Sequence, residues 1–536
     1  MVKVKKIYYL IFCFSLFCLN SYAQVWQWSI PVKGMISDET KQHPQAYLWI
    51  PENCKQVKGI IFGQHNMIEE GILEHAYFRK VMAELGFAEV WVTPVVSWMY
   101  DTTKGEDKII SEMFQELANI SGYQELANAP IVPIGHSAMA SFPWNFAAFN
   151  PQRTLALVSI HGDAPQTNLT GSGKPNPDWG NRNIDGIPSL FIMGEYEWWE
   201  KRIEPAYAYI QKHPKSVITL FADAGHGHFD YSDAMVKYVA NYIREVAKRR
   251  LPAKNLFTEV PKLKPVKPES GWLMDKWSQD SIPQAKAASF AHFKGERKTA
   301  SWVFDKNMAK NTEQFYAKSR GKKMQYIGLI QDGEIVQPDK SHANYALKFK
   351  PLQDGISFTL KAFFTDSLRL KPVSDFAKTP LSIDRICGPV KKINDSTFQI
   401  RFDKLGFNNS KRSNDIWLLA HNDGDAVYKC AVQQLHLRFP IKNQDGTPQQ
   451  IDFAQINDIA IGIKKIALNA KSSAGTKVNY YVKEGPAYVE GNVLYFTKIP
   501  PRTHFPIKVT VVAWQYGIAG QLQSAEPVER CFWIKK

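Results

Sequence analysis

Between residues 40 and 250 the chain alternates short apolar runs with longer segments that have helical hydrophobic spacing. Continuous apolar runs are typical of strands buried on both faces, and the spacing i, i+3, i+4 is typical of amphipathic helices. The predicted strands are at 59–63, 88–94, 131–135, 156–162, 190–194 and 217–221, and the predicted helices at 78–85, 109–117, 138–149 and 234–250. This alternation predicts an α/β unit whose mostly parallel sheet is covered by helices on both sides.

The pattern changes after a stretch at 256–269 that is rich in Pro and Lys. Segments such as 356–364 and 396–402 are apolar at alternate positions and are bounded by Gly, Asn and Asp turns, which predicts antiparallel β structure. The end of the chain, with the run Val509–Gly517, resembles the tail of bacterial Ig-like modules. The predicted domains are an α/β unit at 24–255, a linker at 256–269, a β-rich middle unit at 270–457 and an Ig-like β-sandwich at 458–536.

The first 23 residues have the organisation of a signal peptide. Three lysines precede an apolar run at 7–19, and Ser21-Tyr22-Ala23 fits a cleavage site before Gln24. No later apolar run is long enough to span a membrane. We therefore expect a soluble, exported protein that is periplasmic, secreted or held at the cell surface. The four later cysteines lie far apart, without metal-type spacing, and leave open one disulfide in the C-terminal half.

Charge separates the two halves of the chain. Residues 24–255 contain 21 Lys and Arg against 25 Asp and Glu, a balance of −4, whereas residues 256–536 contain 42 against 26, a balance of +16. A basic surface attracts anionic polymers, although excess charge also serves solubility alone. The chain has no array of basic and aromatic residues, so nucleic acid is not the expected partner.

The stretch Ile131–Ala140 joins an apolar run to an Ala-rich and aromatic-rich segment, with Gly135-His136-Ser137 at the junction. A serine held between a buried strand and the start of a helix has a strained backbone and an exposed hydroxyl. On these residues the chain resembles the α/β-hydrolases, whose nucleophile elbow has the form G-x-S-x-G. Met139 replaces the second glycine of that motif. The alternative interpretation is a serine that caps an ordinary helix.

The resemblance implies an acid and then a histidine downstream of Ser137. The family places its acid at the third residue after a strand-ending glycine, which here is Glu197, with Glu195 and Asp163 as alternatives. The family's catalytic histidine lies in the loop after the last strand. His228 matches that loop best and His226 is the alternative. The two histidines could form a zinc pair, but no third His, Asp or Glu follows at ligand spacing in a helix, so neither a metal site nor a cofactor is expected.

The resemblance also implies an oxyanion hole, for which we assign the backbone amides of Ala138 and Asn66. Tryptophans in the same set of loops are candidates for the wall of a substrate cleft, although core packing is their commoner fate. These residues are Trp98, Trp179, Trp198 and Trp199. The loop at 164–187 is long enough to act as a lid or a substrate wall.

Elbow, acid, histidine and oxyanion loop follow one another in the order of an α/β-hydrolase, and the whole chain resembles an exported bacterial carbohydrate esterase. The implied function is serine hydrolysis of esters on a plant cell-wall polysaccharide, through an acyl-enzyme and without a cofactor. The basic half favours an acidic polysaccharide, and so methyl or acetyl esters of pectin. The alternatives are a peptidase on the same fold, and a non-catalytic glycan-binding or adhesion protein, for which Met139 is the best support.

Overall fold

A computed structural model describes residues 25–168, 175–197, 199–252, 259–340, 343, 345–404, 406 and 413–536. The expected signal peptide and Trp198 lie outside the described residues, as do the side chain of Trp199 and positions 256–258 of the expected linker.

An eight-stranded sheet is the framework of the first unit. Its strands are β1 (Trp28–Pro31), β2 (Gln45–Trp49), β3 (Gly59–Gln64), β4 (Phe87–Thr93), β5 (Ile131–His136), β6 (Leu157–Ile160), β7 (Pro188–Gly194) and β8 (Val217–Asp223). Every residue of β3 to β8 is buried, as expected for strands covered on both faces. The strand order is β1-β2-β4-β3-β5-β6-β7-β8, and β2 alone runs in the direction opposite to the other seven strands. This is the arrangement of the α/β-hydrolase fold, so the predicted fold class is confirmed.

Six helices flank this sheet in the described part of the chain, and α2 and α6 have well-defined caps. They are α1 (Glu69–Leu73), α2 (Ala76–Leu85), α3 (Glu106–Ser121), α4 (Ser141–Phe149), α5 (Trp199–Lys212) and α6 (Asp233–Arg250). Helix α2 ends at Gly86, whose φ of 71° suits a residue without a side chain. Helix α6 begins after Ser232, whose hydroxyl accepts a hydrogen bond from the Met235 amide.

Residues 272–317 pack against the first unit, although the pattern placed the start of the middle unit at 270. This segment contains β9 (Trp272–Met274), β10 (Ala288–Ser289), β11 (Ser301–Val303) and α7 (Lys306–Ala317), a helix that the sequence analysis did not predict. The hydroxyl of Thr219 in β8 donates to the Trp302 carbonyl, and Trp302 and Tyr316 belong to the core of the first unit. This segment is therefore packed on the first unit, and the domain boundary near residue 270 stays a prediction from the sequence pattern.

The remaining chain is built from small and mostly antiparallel sheets. From 326 to 438 the strands are β12 (Tyr326–Gln331), β13 (Glu334–Val336), β14 (Ala346–Lys348), β15 (Ser357–Thr359), β16 (Lys361–Thr365), β17 (Leu381–Cys387), β18 (Val390–Lys392), β19 (Thr397–Ile400), β20 (Asp415–Asn422) and β21 (Ala431–Arg438). They enclose a core around Phe358, Phe398 and Leu435, to which Trp514 and Tyr516 of the last part of the chain also belong. The exception to the antiparallel rule here is β14, which pairs in parallel with β21.

The last part of the chain has a four-stranded sheet and two smaller ones. Its strands are β22 (Ile451–Phe453), β23 (Ile459–Ala460), β24 (Lys465–Ala467), β25 (Ala470–Ser472), β26 (Asn479–Glu484), β27 (Ala487–Glu490), β28 (Val493–Phe496), β29 (Ile507–Trp514) and β30 (Val528–Lys535). Buried side chains of β29, such as Val509 and Val511, share a core with β1 to β5 of the first unit. The three units are therefore packed together through apolar surfaces.

No helix in the described part of the chain has both the length and the apolar character needed to cross a membrane. The sequence allowed one disulfide in the C-terminal half, but the four cysteines beyond residue 23 are all free thiols in the structure. They are Cys54, Cys387, Cys430 and Cys531.

Candidate active site

Ser137 occupies a strained turn at the end of β5. Its φ is +53°, a left-handed conformation that a residue with a side chain adopts at a cost in energy. The turn is a short 3-10 helix, Ser137–Met139, that leads into α4. Such a turn presents the serine hydroxyl beyond the carboxyl end of the strand, as the elbow interpretation requires.

Two glycines make room for this turn. A Cβ on Gly135 would lie 2.2 Å from the Met139 carbonyl oxygen, and a Cβ on Gly162 would lie 2.0 Å from the Cβ of Ala140. Met139, the departure from the family motif, has a fully buried side chain in the core beneath the sheet. At the elbow, Gly135 is therefore approached by the backbone of Met139. The Met139 side chain, larger than the glycine of the family motif, is buried in the core.

Ser137, His228 and Glu197 form a continuous hydrogen-bonded chain. Ser137 Oγ lies 2.7 Å from His228 Nε2, and His228 Nδ1 lies 2.6 Å from Glu197 Oε2. Because a carboxylate only accepts, Nδ1 carries the imidazole proton and Nε2 is left to accept from the serine hydroxyl. The arrangement has the geometry of a nucleophile, a general base and an orienting acid.

Glu197 is held as a carboxylate in a nearly closed environment. Its side chain is 3% exposed, and its second oxygen, Oε1, accepts a hydrogen bond of 2.6 Å from the Gly194 amide. Burial raises the pKa of this carboxyl, but the nearby His161 and the hydrogen bond from His228 outweigh burial, so the pKa lies below its usual value. Glu197 therefore stays ionised beside His228 at neutral pH.

The alternative acids and the alternative base have other partners. Glu195 accepts from Lys429 Nζ at 2.9 Å and from the Gly225 amide at 2.7 Å. Asp163 is paired with Arg202 at 2.6 Å, and its side chain is fully buried. His226 bonds through Nδ1 to Asp230 Oδ2, within the loop that also carries His228. None of these three residues is linked to Ser137 by a hydrogen bond that the structure describes, so the geometry favours Glu197 and His228.

The two amides expected at the oxyanion hole differ in their availability. In the described part of the chain the Ala138 amide has no hydrogen-bond acceptor, and it follows Ser137 directly. The Asn66 amide instead donates to Glu69 Oε2 over a long 3.3 Å, while the Asn66 side chain donates to the His136 carbonyl at 2.8 Å. Ala138 is thus the better placed donor, and Asn66 would have to share its proton with Glu69.

Glu69 anchors the loop beside the elbow. Its carboxyl is fully buried and accepts from the Met67 and His136 amides, both at 2.8 Å. Burial raises the pKa of Glu69 to about 7, against the opposing effect of the amide hydrogen bonds. Glu69 was not among the predicted site residues, because an acidic side chain at the start of a helix is ordinarily a solvated one.

Two further histidines that the sequence analysis passed over support the catalytic loop. His136 Nε2 and His161 Nδ1 donate to the His228 carbonyl oxygen at 2.7 and 3.0 Å. Burial, followed by the neighbouring imidazoles, holds the pKa of His136 well below its usual value, so His136 is neutral. The available signal was position: His136 directly follows one predicted strand and His161 lies near the carboxyl end of the next, at the sheet edge where functional loops meet.

The four tryptophans proposed for a cleft have different surroundings. Trp179 is 1% exposed, donates to Asn145 Oδ1 at 2.8 Å and packs edge-on against Tyr209, so it belongs to the core and offers no face to a substrate. Trp98 is half-buried against the core that β1 to β5 share with β29. Trp198 and the side chain of Trp199 lie outside the described residues. The prediction for Trp179 was therefore wrong, because its loop folds back onto α5.

Among the described residues, no group of three or more His, Cys, Asp or Glu side chains could hold a metal ion. The spacing of His226 and His228 could have suited zinc, but the two rings have different partners: His226 bonds to Asp230, and His228 bonds to Ser137.

No protein-family model and no curated protein matches this chain. It is similar to solved structures over about two fifths of its length. An S-formylglutathione hydrolase from Agrobacterium tumefaciens is 14% identical, with a TM-score of 0.29, over 41% of this chain and 94% of that one. A ferulic acid esterase is 10% identical, with a TM-score of 0.30, over 41% and 99%. A dienelactone hydrolase from Anabaena variabilis is 15% identical, with a TM-score of 0.28, over 43% and 100%.

Proposed function

We propose that this protein is a serine ester hydrolase in which Ser137 is the nucleophile. The observation that carries the proposal is the hydrogen-bonded chain from Ser137 through His228 to Glu197, with the serine at a φ of +53°. A serine that only capped a helix would need neither the strained backbone nor a buried imidazole and carboxylate in series.

The proposed reaction has two acyl-transfer steps. His228 Nε2 takes the hydroxyl proton as Ser137 Oγ attacks the ester carbonyl, and Glu197 stabilises the imidazolium that forms. The Ala138 amide, at the end of β5, donates to the negative oxygen of the tetrahedral intermediate. His228 then protonates the departing alkoxide, which leaves as an alcohol. Water, deprotonated by the same imidazole, attacks the acyl-enzyme and releases the carboxylic acid and Ser137.

The test is hydrolysis of a short-chain nitrophenyl ester by the wild type and by Ser137→Ala. Loss of one member of such a triad lowers kcat by several orders of magnitude, roughly 10⁴-fold or more. Ser141→Ala is the matched control, since this hydroxyl lies one turn further on, at 3.3 Å from Asp163. Hydrolysis that survives Ser137→Ala at the wild-type rate would exclude the triad, and an inactive wild type would favour a glycan-binding protein.

We propose further that the protein is exported and acts on an acidic plant polysaccharide of the pectin type. The support is the charge balance of +16 in residues 256–536 against −4 in residues 24–255. Free carboxylates of galacturonan alternate with methyl-esterified and acetylated units, and a basic surface would retain such a chain near the catalytic unit. Cleavage of a methyl ester adds a carboxylate and so strengthens this attraction.

The substrate proposal is tested by the products released from two polymers. Methanol or acetate should come from pectin, and the rate should fall with added salt because screening weakens attraction between exposed charges. Release of acetate or ferulate from a neutral xylan, with no methanol from pectin and no effect of salt, would overturn the choice of pectin while leaving the ester hydrolase intact.

A further inference from the structure

A cavity of about 660 Å³ lies where the middle unit covers the catalytic loops. One wall is formed by Glu197, His228 and Phe229 of the first unit, and the opposite wall by residues on or near β12 and β21, including Tyr326. Its volume is in the range of ligand sites, roughly 300–1,000 Å³. Any molecule in this cavity would contact both the triad side and the middle unit.

The two walls are joined by specific contacts. Lys429 Nζ, which also binds Asp280, is 2.9 Å from Glu195 Oε1, and both Lys429 and Glu195 side chains are 1% exposed. The Gln434 side chain donates to Asp230 Oδ1 at 3.1 Å. The middle unit is therefore held over the loop that carries His228, and its side chains have a constant position relative to the triad.

One charged side chain in this cavity, Arg369, has no hydrogen-bonded or ion-paired side-chain partner among the described residues. Arg369 is the single Lys or Arg among the described residues that line it. Its Nε is shielded from solvent and has no hydrogen-bond acceptor, and no carboxylate of the described chain pairs with the guanidinium. A shielded donor without an acceptor is destabilising for the free protein, and an anionic ligand in the cavity would satisfy it.

Several other polar side chains of the cavity already have partners. Glu197 is bound to His228 and Glu195 to Lys429. The side-chain amides of Gln325 and Gln433 donate to carbonyl or side-chain oxygens of the middle unit. Arg369 is thus the one cation of this described lining, and its guanidinium carbon lies 5.8 Å from the centre of the Tyr326 ring.

We propose that Arg369 binds a carboxylate of the substrate, so that the enzyme selects esters on acidic sugar chains. This inference rests on the ester hydrolase proposed above and names its substrate class. A guanidinium can donate two parallel hydrogen bonds to a carboxylate, and an aromatic ring beside it offers a flat surface to a sugar. The middle unit then contributes a specificity residue, and a neutral polysaccharide gains nothing from it.

The test compares Arg369→Gln with the wild-type chain on a partly methyl-esterified oligogalacturonide and on a neutral nitrophenyl ester. The ratio of kcat/KM for the acidic to the neutral substrate should fall roughly 10- to 100-fold, as expected when a charged hydrogen-bond donor is lost. Lys371→Gln is the matched control. It removes the same charge from the same turn, and since its side chain is exposed the ratio should stay unchanged. Thermal unfolding verifies that both variants fold.

A second readout separates this inference from the proposed function. Calorimetry measures binding of unesterified trigalacturonate to the full-length wild type and to Arg369→Gln. Binding by the wild type that is lost in Arg369→Gln supports the inference even if no ester is hydrolysed, in which case only the proposed function fails. Hydrolysis that depends on Ser137, with an unchanged substrate ratio and no binding of trigalacturonate that depends on Arg369, would overturn the role of Arg369 alone.

Discussion

Replacing Glu197 and Glu195 in turn by glutamine separates catalysis from stability, because the two sites are closely matched. Each side chain is nearly buried, at 3% and 1% exposure, and each carboxylate accepts from one backbone amide and one cationic or imidazole donor. A glutamine has one accepting oxygen, so in either orientation its NH₂ faces one of those two donors. The difference lies in the second donor, which is His228 for Glu197 and Lys429 for Glu195.

The expected magnitudes follow from these partners. Glu197→Gln disturbs the tautomer of His228 and should lower kcat/KM about 10³- to 10⁴-fold, with a loss of about 1–3 kcal/mol in the free energy of unfolding. Glu195→Gln leaves Lys429 buried with Asp280, 2.8 Å away, as its remaining carboxylate. Removal of one member of a buried ion pair costs about 3–5 kcal/mol, and the second carboxylate places this case near 3 kcal/mol.

The assay is nitrophenyl ester hydrolysis at a temperature where all proteins are folded, together with unfolding followed by circular dichroism. Glu195→Gln should be the less stable variant and keep most of its activity, whereas Glu197→Gln should be nearly inactive. A larger loss of activity in Glu195→Gln, with Glu197→Gln close to the wild type, would refute the assignment of the acid and the reasoning from hydrogen-bond partners.

Two further predictions concern the loop and the elbow. Burial lowers the pKa of His226, but the carboxylates of Asp223 and Asp230 outweigh burial and raise this pKa well above 6.5. Protonated His226 therefore contributes to the free energy of unfolding below pH 6.5, and this contribution is lost as the pH rises through the folded-state pKa. His226→Gln should therefore flatten the alkaline decline of Tm and keep measurable hydrolysis, and a decline as steep as that of the wild type would contradict this. Gly135→Ala should lower the free energy of unfolding by at least about 2 kcal/mol, because the added Cβ would collide with the Met139 carbonyl oxygen. An unchanged midpoint of urea unfolding would contradict this steric argument.

The framework of the first unit could be predicted from local pattern. Continuous apolar runs such as β5 and β7 are buried on both faces, and that burial requires helices on either side of a parallel sheet. The position of Ser137 at the end of such a run, after Gly135, indicated the strained turn. Hydrophobic periodicity depends only on residues that are close in sequence, so it can be read before the fold is known.

Side-chain direction within the functional loops depended on the tertiary structure. His226 and His228 are two residues apart in one glycine-containing loop, and only the backbone path decides which ring meets Ser137. Glu195 and Glu197 are likewise two residues apart in one loop. Glu195 is distinguished by its partner Lys429, which lies 234 residues later in the chain. The pattern of neighbouring residues cannot predict a partner so distant in the chain.

By itself the sequence determined the sheet, the elbow serine and the small set of acids and histidines in the loops around it. The tertiary structure alone decided which of them align, that His136 and His161 hold the carbonyl of His228, that Trp179 is buried, and that residues 272–317 join the first unit. It also decided that the middle unit brings Arg369 to the cavity beside Glu197. The physical reason is that secondary structure follows from the chain's own periodicity, whereas an active site is assembled from the ends of elements that meet only when separate apolar surfaces pack together.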